Sequence, residues 1–160
     1  MSIRDHHFDQ LDYEIIQALH KNARVAASEI ARDTGANERT IRKRILRLLD
    51  EGVIRLTAII NPQSFGYITA ADIFIQVDPE KEAAVIDALM EMPEVTYVAF
   101  GQGTNDISIE ARFKDNDAFR EFIRTTLANM EGVTVDKYTL VPRILRNIDE
   151  WLPPKEEFET

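Results

Sequence analysis

Residues 37–51, NERTIRKRILRLLDE, leave the chain few ways to fold. At 100° per residue Ile41, Ile45, Leu48 and Leu49 fall on one stripe of a helix. Arg39, Lys43 and Arg47 take the opposite face with Thr40 among them, and Arg42 and Arg44 flank the apolar stripe on either side. Five of the six charges from Glu38 to Arg47 are positive. Asn37 is suited to the N-cap, since its side-chain oxygen can accept a free N–H of the first turn. Gly52 is suited to a left-handed C-terminal cap. Such a helix needs a hydrophobic floor beneath it and fits an anionic partner above it. A charged helix face is most often merely solvated, so the flanking sequence decides.

The preceding residues supply the floor. Asp9 opens a first helix, with Asp12 in the turn where an acid complements the helix dipole. Leu11, Ile15, Ala18 and Leu19 form its apolar stripe, and His20 and Lys21 close it. A second helix over residues 27–33 carries Ser28 near its start and turns Ile30 and Ala31 inward. A short turn, Thr34-Gly35-Ala36, leads into the basic helix. Two helices joined by a short Gly turn, the second rich in Arg and Lys, form the helix-turn-helix pattern. After Gly52, residues 53–60 (VIRLTAII) read as a strand, a wing or hinge stopped by Asn61-Pro62. Residues 1–60 are therefore expected to form a winged helix-turn-helix domain, and residues 61–69 a linker.

Beyond the linker the apolar period changes from helical to alternating. Strands are expected over residues 72–77, 95–100, 106–113 and 133–141, with helices over 82–90 and 115–129. The order is βαββαβ, a ferredoxin-like sandwich over residues 70–142. The fold class is thus α+β. Helices cover one face of such a sheet. The other face is expected to carry Asp72, Phe74, Gln76, Thr96, Val98, Ser108, Glu110 and Arg112, too apolar for open solvent and too polar for a core, which suits a subunit interface. Residues 143–160 hold the single Trp and an acidic end, and are expected to form an irregular or partly disordered tail.

Charge and composition exclude several functions. Net charge is −9, which argues against simple nucleic-acid binding, but residues 1–60 hold 10 Lys/Arg and 9 Asp/Glu whereas residues 61–160 hold 9 and 19. A near-neutral first part with its cations gathered on one helix can bind double-stranded DNA locally, and the acidic remainder helps aim it. No cysteine is present, so disulfides and thiolate metal sites are out. No apolar run approaches the ~20 residues needed to cross a membrane, and the expected location is the cytoplasm. His6, His7 and His20 show no metal spacing, and no cofactor is implied. No nucleophile–base arrangement is visible, and Glu82, Glu91 and Glu94 read as solvated surface, so no enzyme activity is expected.

For DNA, Arg39, Thr40 and Lys43 are assigned to the floor of the major groove, where base edges carry sequence. Arg42, Arg44 and Arg47 are assigned to the phosphate walls. Asn37 and Ser28, near helix N-termini, can add donors. For a small ligand the candidate is the loop from Gly101 to Asp106. Gly101 and Gly103 let backbone N–H groups approach a carboxylate, Thr104 lies between, and Asp106 can pair with an ammonium, so the loop matches an α-amino acid. The same composition also suits an ordinary hairpin turn.

The ordered set of motifs resembles the Lrp/AsnC (feast/famine) transcription regulators. LDYEIIQALHKNAR at 11–24 is similar to the family's opening helix, and SEIARDTGANERTIRKRILRLLDEGVI at 28–54 to its helix-turn-helix. Asn61-Pro62 and Gly66-Tyr67 sit in the linker as in the family, and Gly103-Thr104-Asn105-Asp106 matches its G-x-x-D. The resemblance covers about residues 9–142. Gly101-Gln102 and the acidic, Trp-containing tail depart from the pattern. The resemblance implies a homodimer formed through the second-domain sheets, often assembled further into tetramers or octamers, that binds DNA and senses a small amino-acid effector at contacts between dimers. Thr134 and Asp136, on the fourth strand, could reach that site from a neighbouring chain. Two alternatives remain open: an enzyme resembling the sirohaem decarboxylases, which share the architecture but act on a tetrapyrrole, and an amino-acid sensor without DNA binding.

Overall fold

A computed structural model describes residues 7–101 and 106–158. They fall into two units: one comprises the described residues up to Ile59 together with those from Arg146 onward, the other Ile60–Leu145.

The first unit is built on three helices, α1 (Gln10–Lys21), α2 (Ala27–Thr34) and α3 (Glu38–Asp50). Asp9 caps α1 in a reciprocal box: its carboxylate accepts from Asp12 N at 3.0 Å while the Asp12 carboxylate accepts from Asp9 N at 3.2 Å. Asn37 caps α3, accepting from Arg39 N at 2.8 Å. Gly35 and Gly52 both sit at φ +71°, the left-handed conformation that ends α2 and the residue after α3 without the steric penalty a Cβ would bring. Ile15, Ile16, Leu19, Ile30, Ile41 and Leu48 form the core. The strand expected over residues 53–60 does not form. Val53 N and Ile54 N instead bond Leu48 O, closing the end of α3, and the chain from Arg55 to Ile60 runs exposed and without regular structure.

The tail from Arg146 is irregular, as expected, but it is seated on this unit. It makes two 3-10 turns, Ile148–Glu150 and Lys155–Phe158. Phe158 is 4% exposed, with its ring 5.1 Å from Tyr13 and 6.0 Å from Phe8. Leu152 packs on the same core, and His20 Nε2 donates to Asp149 O at 3.0 Å.

The second unit is a four-stranded antiparallel sheet in the order β2-β3-β1-β4, formed by β1 (Thr69–Val77), β2 (Val95–Phe100), β3 (Ile107–Phe113) and β4 (Val133–Leu140). Two helical segments connect them, α4 (Glu82–Met90) and α5 (Asn116–Glu121), the latter continuing through Phe122–Thr126 and Leu127–Asn129 with altered winding. Ile73, Ile75, Ile107, Ile109 and Phe113 meet Val85, Leu89, Phe119, Phe122 and Leu127 in the core. This is the βαββαβ sandwich. One face differs from the expectation. β2 shifts register between Val95 and Tyr97, so Val98 stands opposite Ile109 and packs on the core, while Tyr97 opposes Glu110. An extra residue between two paired positions inverts the side-chain alternation. The uncovered face therefore carries Tyr97 rather than Val98, beside Asp72, Phe74, Ser108, Glu110 and Arg112, with Lys137 Nζ 4.8 Å from the centre of the Phe74 ring. Before β1, Lys114 donates to Phe65 O and lies 4.1 Å over the Tyr67 ring, holding the Asn61-Pro62 turn to the end of β3.

Candidate nucleic-acid interface and effector loop

Helix α3 presents Arg39, Thr40, Arg42, Lys43 and Leu46 to solvent, with Ile41 and Leu48 completely buried on the opposite side. Arg39, Lys43 and Leu46 fall at i, i+4 and i+7, one line down the outer face. Arg42 Nε lies 2.9 Å from Glu38 Oε1, a pair on an exposed helix surface that holds the guanidinium loosely. Asn37 is exposed but its side-chain oxygen is engaged by Arg39 N, so it shapes the start of the helix. Ser28 is exposed in the first turn of α2.

Arg44 and Arg47, assigned to the phosphate walls, are each engaged with carboxylates at the start of α1. Arg44 Nη1 lies 2.9 Å and Arg47 Nη2 2.6 Å from Asp12 Oδ2, and Arg44 Nη2 lies 2.8 Å from Asp9 Oδ2. Asp12 is fully buried. The two arginines sit three residues apart on the edge of α3 that faces α1, where their charge meets two carboxylates. Burial works against ionisation of Asp9, yet the bonds from Arg44 and from the Asp12 and Leu11 N–H groups hold its carboxyl below the ordinary range. The hydrogen bond to Asp9, with Asp12 behind it, raises Arg44 above its already high value. The cations of α3 not held by Asp9 or Asp12 are Arg39, Lys43 and the loosely held Arg42. Leu46, 59% exposed on the same line, went unassigned from the sequence. Its i+7 relation to Arg39 was the available signal, and an apolar side chain there can meet a thymine methyl.

In the second unit, Gly101 N donates to Asp106 O at 2.8 Å, and Asp106 N donates to Ile75 O at 3.1 Å. The Asp106 carboxylate accepts from Val77 N at 2.8 Å. Gly101 and Asp106 thus close the loop between β2 and β3 at the end of β1, with the carboxylate fixed by backbone. Gly103 and Thr104 lie outside the described residues. Thr134 pairs with Gln76, next to Val77, so it and Asp106 flank the same end of β1. Asp136 is the additional residue where β4 shifts register between Val135 and Lys137. Among the described residues no group of three His, Asp or Glu side chains is placed to hold a metal ion, and no helix is long and apolar enough to cross a membrane.

Both units match known family models along their length. Residues 8–55 match a winged helix-turn-helix DNA-binding domain, and residues 71–144 match the Lrp/AsnC ligand binding domain. The chain belongs to the Lrp/AsnC family. Among its relatives is the HTH-type transcriptional regulator FL11 of Pyrococcus furiosus, 34% identical over 92% of this chain and 97% of that protein. The HTH-type transcriptional regulator LrpA of Pyrococcus horikoshii is 30% identical over 79% of this chain and 90% of its own length. Among solved structures, Escherichia coli AsnC superposes with a TM-score of 0.82 at 25% identity, over 90% of this chain and 99% of that one. The chain is accordingly a DNA-binding transcriptional regulator with a C-terminal ligand-binding domain, and α3 lies within its matched helix-turn-helix.

Proposed function

We propose that this Lrp/AsnC regulator is a cytoplasmic homodimer, able to close further into tetramers or octamers, that binds duplex DNA and changes its occupancy when an amino acid binds the loop ending in Asp106. It acts by binding, with no catalysis of its own. The observation that carries the reading is the Asp106 carboxylate, fixed by Val77 N at the mouth of a Gly-containing loop. A zwitterion needs donors at one end and an anion at the other. Gly101, Gly103, Thr104 and Asp106 offer both within six residues, and Thr134 and Asp136 of a neighbouring chain could complete the contacts. A Neisseria meningitidis transcriptional regulator of the same fold (TM-score 0.80, 24% identical) was solved as a complex with L-Met, so an α-amino acid is within the fold's reach.

Because the loop and α3 belong to different units, the effector must act by binding two assembly states with different affinity. Calorimetric titration of the twenty amino acids tests this. At least one should bind with a Kd under ~1 mM. Asp106→Asn, which keeps an acceptor for Val77 N while removing the charge, should abolish that heat and leave ligand-free DNA binding near wild type. An isosteric variant that binds equally well, or a wild type that binds none, reduces the loop to a turn.

The uncovered sheet face supports the dimer: Tyr97, opposite Glu110, is 54% exposed on it, and Phe74 lies on the same face under Lys137. Light scattering at micromolar concentration should give at least twice the 18.3 kDa chain mass. A clean monomer rejects the dimer.

A further inference from the structure

The buried carboxylate of Asp12 has a consequence for recognition. Its Oδ2 receives Asp9 N, Arg44 Nη1 and Arg47 Nη2 at 2.6–3.2 Å, so one oxygen atom joins the first turn of α1 to two successive turns of α3. Asp9 adds a second clasp on Arg44. The four charges balance: two carboxylates and two guanidinium groups. Arg44 and Arg47 retain only 27% and 35% of their side-chain exposure. The cluster is a poor device for stability alone. Asp12 Oδ1 and Arg47 Nε are buried without a hydrogen-bond partner among the described residues, and a buried ion cluster is commonly no more stabilising than a well-packed apolar group of its size. What it does supply is direction. The hydrophobic stripe of α3 tolerates some rotation about the helix axis, whereas two guanidinium groups anchored on one carboxylate at i and i+3 do not.

We propose that Asp12 is a specificity-setting positioning residue for DNA binding: by holding Arg44 and Arg47 it fixes which face of α3 enters the groove and withholds two cations from phosphate. Phosphate contacts strengthen binding to any sequence, while base contacts distinguish sequences. Released arginines at the edge of the recognition helix would add affinity for every duplex and lower the contrast between them. The carboxylate thus trades non-specific attraction for selectivity.

The full-length protein would be titrated by fluorescence anisotropy with its preferred duplex, selected from a random pool, and with a scrambled duplex, at several salt concentrations. Asp12→Asn keeps size and shape but removes the charge. The ratio of the two affinities should fall about tenfold, the loss expected from a misplaced base contact. The scrambled duplex should show a salt dependence steeper by about 0.9 for each arginine that reaches phosphate. A purely structural Asp12 would lower the melting temperature and leave the ratio and the slope unchanged, which overturns the proposal. Arg44→Gln and Arg47→Gln provide the second arm and decide the matter should Asp12→Asn fail to fold. In each, the salt slope should equal that of wild type, because these side chains already spend their charge on Asp9 and Asp12. A slope lower by about 0.9 in either would make that arginine a phosphate contact and overturn the proposal.

Discussion

Phe158→Ala should destabilise the helical unit by about 2–4 kcal/mol, toward the range for losing a buried aromatic ring. In an irregular, acidic segment, such a substitution would ordinarily be neutral. Here the ring is 4% exposed and packs edge-on to Tyr13 at 5.1 Å, with Phe8 beyond it. Tyr13 sits on α1, whose Ile15, Ile16 and Leu19 floor the helix-turn-helix, so the tail completes that core. The loss is bounded by the free energy of seating the tail, because a truncated ring lets the whole segment lift away. Residues before Phe158 hold on less firmly: Ile148 and Trp151 are 79% and 54% exposed, and Asp149 contributes one backbone acceptor to His20. Trp151 is the only tryptophan, so its fluorescence reports the tail alone. The variant should show a red-shifted Trp151 emission and a helical-unit melting temperature lower by about 10 °C or more. Unchanged melting and emission would mean that the tail contributes nothing to the unit.

What could be read from the sequence was what depends on neighbours within a few residues. Asn37 and Gly52 were recognisable as caps because capping needs one side chain, or one left-handed backbone, next to a periodic run. Asn37 indeed accepts from Arg39 N at 2.8 Å, and Gly52 sits at φ +71°. The alternation in Ile73, Ile75 and Val77 and in Ile107, Ile109 and Ala111 was equally plain, and with it the βαββαβ order. What escaped detection depends on partners far along the chain. Arg44 and Arg47 read as outward cations because periodicity places a residue about one helix axis and is silent on what stands beside it. Asp12 lies 32 and 35 residues away. Val98 and Tyr97 exchanged faces because a single register shift reverses parity. Residues 53–60 are rich in β-branched side chains, yet a strand requires a ladder partner, and none pairs with them among the described residues. Phe158 was lost among acidic neighbours that look like a solvated tail. At the candidate sites this means the exposed line of Arg39 and Lys43 on α3 was legible, the arginine clasp was not, and the backbone bond from Val77 to the Asp106 carboxylate was invisible.

Arg39→Ala and Lys43→Ala should each weaken binding to the preferred duplex by about 1–3 kcal/mol, the range of one good contact to a base edge. These two side chains are exposed on the line opposite the buried Ile41 and Leu48, and no hydrogen bond between them and another side chain is recorded among the described residues. They can turn to a groove floor without first breaking an ion pair. Arg42 must leave Glu38, and Arg44 and Arg47 must leave buried Asp12, so their loss costs DNA binding less than their charge suggests. Leu46→Ala on the same line should cost under about 1 kcal/mol, and only where a thymine methyl faces it. The decisive comparison is between duplexes. If Arg39 and Lys43 read bases, each substitution weakens the preferred site more than a scrambled one, and the two titration curves converge. If they serve phosphates, both duplexes weaken alike and the salt slope drops by about 0.9 per residue removed. Binding that survives both substitutions unchanged would place the DNA surface away from α3 altogether. Since, among the described residues, only two cations on the outer face of α3 are unclasped, selectivity in this regulator has to come from where those two side chains point rather than from how many charges it carries.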